Sequence, residues 1–247
     1  MLGLGTGIVK GGGRLNNLGI ITDNLVLKHN YDTSQVRQVS TGAAFFDGTD
    51  DYISLGTSLN LGTDDFSISA WIYFNESTNQ YIINKKQDAN NYWFLRTQGT
   101  DSLQFFTKVG GTTIMDRGYD GSGVPSADIP HNTWTHCVVT CDRSDGSSGI
   151  KIYANGVKGN TDGGASATDM DNTGDLRLGN DGGSAFMDGY MTNVGIWSRV
   201  LTGAEVKSIM WKNYDQLISS EKTSMVSWWN LSTDANDSHG SNNGTLS

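Results

Sequence analysis

The sequence predicts an all-β protein of many short strands, with one short helix near its C-terminus. Three observations carry this. The 247 residues contain 32 Gly and only 2 Pro, among many Asn, Asp, Ser and Thr, as expected for strands joined by tight turns. Phe66–Phe74 alternates cleanly: Phe66, Ile68, Ala70, Ile72 and Phe74 share one face, and Ser67, Ser69, Trp71 and Tyr73 the other. Hairpin dipeptides, Asp47-Gly48 and Asn155-Gly156, punctuate apolar runs.

Length and composition bound the function. A chain of 247 residues suits one β domain. Charged residues make up 17%, the net charge is −9, and there is no basic cluster, which argues against a nucleic-acid partner. No apolar run reaches the ~20 residues of a membrane span. Met1–Gly5 does not read as a secretory signal, so the Asn75 and Asn230 glycosylation patterns are discounted. Cys137 and Cys141 lie about 13 Å apart along one strand, out of disulfide reach, and read as free core thiols suited to a reducing cytoplasm.

In chain order, residues 1–22 form a Gly-rich N-terminal arm. Its Leu2, Leu4, Ile8, Val9, Leu18, Ile20 and Ile21 are too apolar for a solvated linker, so the arm is expected to order against a partner or a neighbouring copy. Residues 23–218 form the domain. Strands are expected at Leu25–Lys28, Ala43–Phe46, Tyr52–Leu55, Phe66–Phe74, Tyr81–Lys85, Tyr92–Arg96 and Leu103–Val109. A long loop is expected from Asp116 to Pro130. Further strands are expected at Trp134–Asp142, Ile150–Ala154, Leu176–Gly179 and Met187–Trp197. Thr202-Gly-Ala-Glu205 is a capping box, and Val206, Ile209, Met210, Tyr214 and Leu217 continue at helical spacing. Ser219–Thr223 breaks that pattern. Residues 219–247 are read as a C-terminal strand, Met225–Leu231, and a polar tail.

Eight short motifs then fall in a known order. They are Phe46–Ile53, Phe66–Trp71, Trp134-Thr-His136, Ile150–Gly156, Leu178-Gly179, Phe186–Gly189, Val194–Trp197 and Leu201–Glu205. Over about Asn24–Asp215 the chain resembles laminin-G-like, concanavalin A-type jelly rolls of the pentraxin-like branch. The resemblance implies a two-sheet antiparallel jelly-roll sandwich with one short C-terminal helix. The flanks, a Gly-rich start leading to Asp23–Tyr31 and an end at Met225–Leu231 and Asp237–Thr245, are similar to virion proteins of marine tailed bacteriophages. The C-terminal run looks like the family's first strand displaced; it either completes the sheet in permuted order or begins a second unit.

The resemblance also implies sites. In the pentraxin-like branch a loop Asp-Asn pair and a later acidic loop hold calcium. Asp88 and Asn90 match the first, and Asn180 and Asp181 the reduced second. The turn residues Asp47, Asp50 and Asp51 resemble a structural-ion position, although such residues also bond their own backbone. Calcium is the expected ion. Sugar-stacking aromatics are sought at Trp71, Tyr73, Tyr92, Trp93 and Tyr119, which equally serve as packing. Retaining glucanases of this fold need two strand carboxylates ~5 Å apart. Glu76, Glu205 and Glu221 are the sole glutamates and none sits mid-strand, so no enzyme is expected.

The expected role is a non-enzymatic phage virion structural protein, of capsid-decoration or head-fibre type, assembled in the host cytoplasm. Its partners would be other virion proteins or copies of itself through residues 1–22, with surface glycans as ligand. The alternative is a free carbohydrate-binding lectin.

Overall fold

The computed structural model describes residues 42–75, 79–98, 102–118 and 129–247. The arm at 1–22 and the strand expected at Leu25–Lys28 lie outside them.

The strands are β1 (Ala44–Asp47), β2 (Ile53–Ser54), β3 (Phe66–Phe74), β4 (Tyr81–Lys86), β5 (Tyr92–Gln98), β6 (Ser102–Val109) and β7 (Thr112–Gly118). They continue with β8 (Thr135–Cys141), β9 (Ile150–Ala154), β10 (Val157–Lys158), β11 (Asp175–Leu178), β12 (Asp188–Trp197), β13 (Met225–Trp229) and β14 (Thr245–Leu246). Helix α1 covers Gly203–Ile209, and a single helical turn, α2, covers Ser219–Lys222.

These strands make two antiparallel sheets, as the sequence predicts. In the β3 sheet the order is β1-β12-β3-β8-β9-β10, with β13 also on β12. The β5 sheet runs β14-β2-β11-β4-β5-β6-β7. The apolar face of β3 (Phe66, Ile68, Ala70, Ile72, Phe74) is fully buried between the sheets against Leu95, Phe105, Leu176 and Ile196. Each such Phe or Ile contributes about 1.5–3 kcal/mol by leaving water. Cys137 and Cys141 are buried there as free thiols, and burial pushes both up, Cys141 to about 12.

Strand β12 holds two partners on one edge. Its start pairs with β1 and its end with β13, and the register shifts between Thr192 and Gly195, where Asn193 takes a left-handed φ of 50°. The C-terminal residues thus serve both sheets, since Thr245 and Leu246 pair with Ser54 and Ile53. Asp237 pins this return. Its carboxylate accepts the backbone N–H groups of Trp228, His239, Gly240 and Asn242. Burial pushes its pKa up, but those bonds prevail and hold it below the usual value.

The Asn155-Gly156 turn has both φ angles positive, 48° and 75°, as a two-residue hairpin of matching twist requires. Three expectations need correction. Asp116–Gly118 is not loop; it pairs with Gln104–Phe106 in β7. The helix begins at its capping box but stops at Ile209, because Asn213 caps a separate 3-10 turn at Tyr214–Gln216. Ser219–Lys222 is helical rather than a break: Glu221 accepts the N–H of Ile218 and closes the turn.

Candidate functional site

Alternation along β5 decides which side chains reach the surface. Trp93 and Leu95 point into the core with zero exposure, while Tyr92, Phe94 and Arg96 point outward. Directly paired residues share a face. Lys86 and Lys108 flank Tyr92, Asn84 and Phe106 flank Phe94, and Tyr81 and Gln104 flank Arg96. Together they form an open groove of about 360 Å³ on the outer face of the β5 sheet, lined by Tyr81, Asn84, Lys86, Tyr92, Phe94, Arg96, Gln104, Phe106 and Asp181.

The rings are ordered. Tyr92, Phe94 and Phe106 lie within 18° of parallel, with centroids 5.3–6.0 Å apart. Phe94 is buried beneath Arg96, whose guanidinium carbon lies 4.7 Å from the ring centre. Tyr81, Tyr92 and Phe106 stay half-buried and offer apolar surface. The polar groups are equally fixed. Gln104 Oε1 accepts Arg96 Nε at 3.0 Å and Nη2 at 2.9 Å, and Tyr81 Oη accepts Nη1 at 3.0 Å. Gln104 Nε2 donates to Asp116 at 2.7 Å. The buried Asn84 Nδ2 has no partner among the described residues.

The sequence-predicted aromatics are dispersed. Tyr92 lines this groove. Trp93 does not: its indole is in the core, so it is removed from the ligand set. Trp71 and Tyr73 lie on the outer face of the opposite sheet. There Trp71 donates its indole N–H to Met210 O at 3.0 Å and packs beside His136, a brace for the end of α1. Tyr73 joins Trp134, Tyr190 and Phe45 in a tilted aromatic cluster, with Phe45 54% exposed. Tyr119 lies outside the described residues. Sequence reasoning missed Phe94, Arg96, Gln104 and Phe106. Leu95 next to Arg96 was the available signal for which face of β5 is outward.

The proposed ion ligands also fall in separate places. Asp47, Asp50 and Asp51 can bring one oxygen each within 4.8 Å of one another at the β1–β2 turn. Asp188 stands directly opposite Asp47, which adds like-charge repulsion. Three carboxylates fit part of the 6–8 oxygen shell of calcium, the rest being left to carbonyls and water. Asp47 N–H donates to Asp51, and Thr49 N–H to Asp47, so the turn also bonds itself. Asp88 Oδ1 accepts the N–H groups of Asn90 and Asn91, and the first of these bonds leads in holding its pKa below the usual value. Asn180 Oδ1 accepts from Gly182 N and Arg177, and Asp181 Oδ1 from Gly183 N and Ala185 N. Lys86 Nζ lies 4.0 Å from Asp181, so a cationic side chain already stands beside that loop.

Two glutamates are structural. The Arg199 fork grips Glu205 at 2.7 and 3.0 Å and, with the Thr202 bonds, holds it at about 2 despite burial. Glu221 binds Lys212 and Ser208. His136 is buried, with Nε2 2.9 Å from Ser69 Oγ; burial pushes it down to about 3, so it stays neutral.

Residues 47–207 match the family described as the concanavalin A-like lectin/glucanases superfamily. Curated protein sequences gave no match. Among solved structures, domain 4 of an extracellular GH43 arabinanase from Geobacillus stearothermophilus, in complex with arabinotriose, is 23% identical at a TM-score of 0.52, covering 68% of this chain and 75% of that one. A putative carbohydrate binding protein from Bacteroides ovatus is 20% identical at 0.57, covering 83% of this chain and 57% of that one. The heptameric pentraxin from Limulus polyphemus is 15% identical at 0.52, covering 70% and 83%. Each likeness is one of fold.

Proposed function

Because this chain belongs to the concanavalin A-like lectin/glucanase superfamily, we propose that it is a non-catalytic lectin-type domain that binds glycans in the groove of the β5 sheet. One observation carries the reading: half-buried Tyr81, Tyr92 and Phe106 stand beside the fixed amide and guanidinium groups of Gln104 and Arg96 and the unpartnered Asn84 Nδ2. Sugar rings have apolar faces for the former and hydroxyls for the latter. The similar arabinanase domain and Bacteroides protein, described with a sugar or as carbohydrate binding, favour this reading. Catalysis is not part of the proposal: Glu205 and Glu221, the two glutamates among the described residues, are spent on Arg199 and Lys212. Calcium at the Asp47–Asp51 turn would neutralise the carboxylates gathered there. A glycan array tests the proposal. Binding by the wild type that falls in Tyr92→Ala supports it, and a flat array removes it.

The setting proposed for this domain is the surface of a phage virion, as a capsid-decoration or head-fibre protein assembled in the host cytoplasm and anchored by residues 1–22. This reading rests on the resemblance, read from the sequence alone, of the Gly-rich start through Tyr31 and of the Met225–Thr245 end to phage virion proteins. Mass spectrometry of purified particles checks it: recovery in stoichiometric copies is expected, and absence from particles removes the virion role while leaving the lectin reading intact.

A further inference from the structure

The charge around the groove runs against that of the protein. The chain carries 26 acidic and 17 basic residues. Among the described residues on the outer face of the β5 sheet, the ladder places Lys86, Arg96, Lys108 and Arg177 with Asp116 and Asp175, and Asp181 joins them from the loop after β11. Two of those acids stand against cations, and the third is held by an amide. Asp175 takes Arg177 at 2.8 Å and Ser54 at 2.7 Å. Asp116 accepts from Gln104. Asp181 bonds its own loop and stands beside Lys86.

Arg96 is left over. Among the described residues its partners are the neutral oxygens of Gln104 and Tyr81, and these use three of the five guanidinium N–H groups. The plane is locked over Phe94, so the remaining donors are held in place before any ligand arrives. A guanidinium so fixed offers a planar fork that suits a carboxylate or sulfate oxygen pair better than a lone hydroxyl.

We propose that this groove selects saccharides bearing an anionic group, a carboxylate or a sulfate ester, with Arg96 as the anion-binding residue and Lys108 raising the local potential. This rests on the groove being the glycan site. The sugar ring would lie against Tyr92 and Phe106 with its acidic substituent toward Arg96.

Calorimetric titration with paired probes tests it on the intact protein. The carboxylate arm compares trigalacturonic acid with its methyl ester. The sulfate arm compares a sulfated heparin-type tetrasaccharide with its desulfated form. One arm is expected to show at least about tenfold tighter binding of the charged member, weakening with added salt. Arg96→Gln should weaken binding of the charged member more than that of the neutral member and so collapse the preference, and Arg96→Lys should restore only part of it. The preference in the wild type is read without any variant, so misfolding of a variant cannot hide the answer. Equal affinity for charged and neutral members overturns the anion proposal but leaves the groove as a glycan site. A flat glycan array together with silence in both arms overturns both.

Discussion

On part of the outer face of the β3 sheet the aromatics are roofed by the chain itself, whereas Phe45, Trp134 and Tyr190 on the same face stay exposed. Trp197 and Trp228 meet edge to face at 6.0 Å, sealed with Val206, Ile209 and Leu217 from the helical segment. On the outer face of the β5 sheet Tyr92 and Phe106 stand half-buried in an open groove. The same strand alternation made both faces. The difference comes from the residues after β12, which fold back over one sheet and leave the other open. An aromatic under the roof is therefore read as stability, and one in the groove as recognition. Trp71 illustrates the point, since it looked like a sugar platform and instead braces Met210.

The contrast can be broken by mutation. The largest effect is expected at Trp228→Ala, which empties a fully buried site in the roof and should cost about 3–5 kcal/mol in urea unfolding. Its glycan affinity, measured on the folded fraction, should not change. Next comes Asp237→Ala, which orphans four backbone donors at the C-terminal return and should cost about 2–3 kcal/mol. The sign with pH is set by its lowered folded pKa. Its contribution is complete above the unfolded value and lost as pH falls through the folded one. Wild-type stability should therefore drop below about pH 4, and that of Asp237→Ala should drop less.

Groove substitutions should invert the pattern. Tyr92→Ala and Phe106→Ala are expected to weaken glycan binding by about fivefold to tenfold. Both side chains are half-buried, so the melting temperature should move by only a few degrees. The smallest effect is expected at the β1–β2 turn. If calcium binds there, millimolar calcium raises the melting temperature slightly, and Asp51→Asn abolishes the rise. An unchanged wild-type melt with calcium would remove the ion.

Much of the fold was legible because its signals are local. Phe66–Phe74 shows its two faces within nine residues, and Asn155-Gly156 and the Thr202–Glu205 box name their own turn and cap. The site was less legible. Tyr92-Trp93-Phe94 is aromatic at three successive positions, so periodicity alone does not say which ring is inside. The register of β5 on β4 and β6 decides it, and that is set by pairing across hairpins. The return of β13 to β12 and of β14 to β2 joins residues far apart in sequence, which no local pattern encodes. The lone guanidinium at Arg96 results from where β7, β11 and the loop after β11 put their acids.

The most direct measurement is an NMR titration of the side-chain aromatic resonances with a glycan taken from the array. The account predicts shifts concentrated at Tyr81, Tyr92 and Phe106. Shifts confined to Phe45, Tyr73, Trp134 and Tyr190 on the opposite sheet would contradict it.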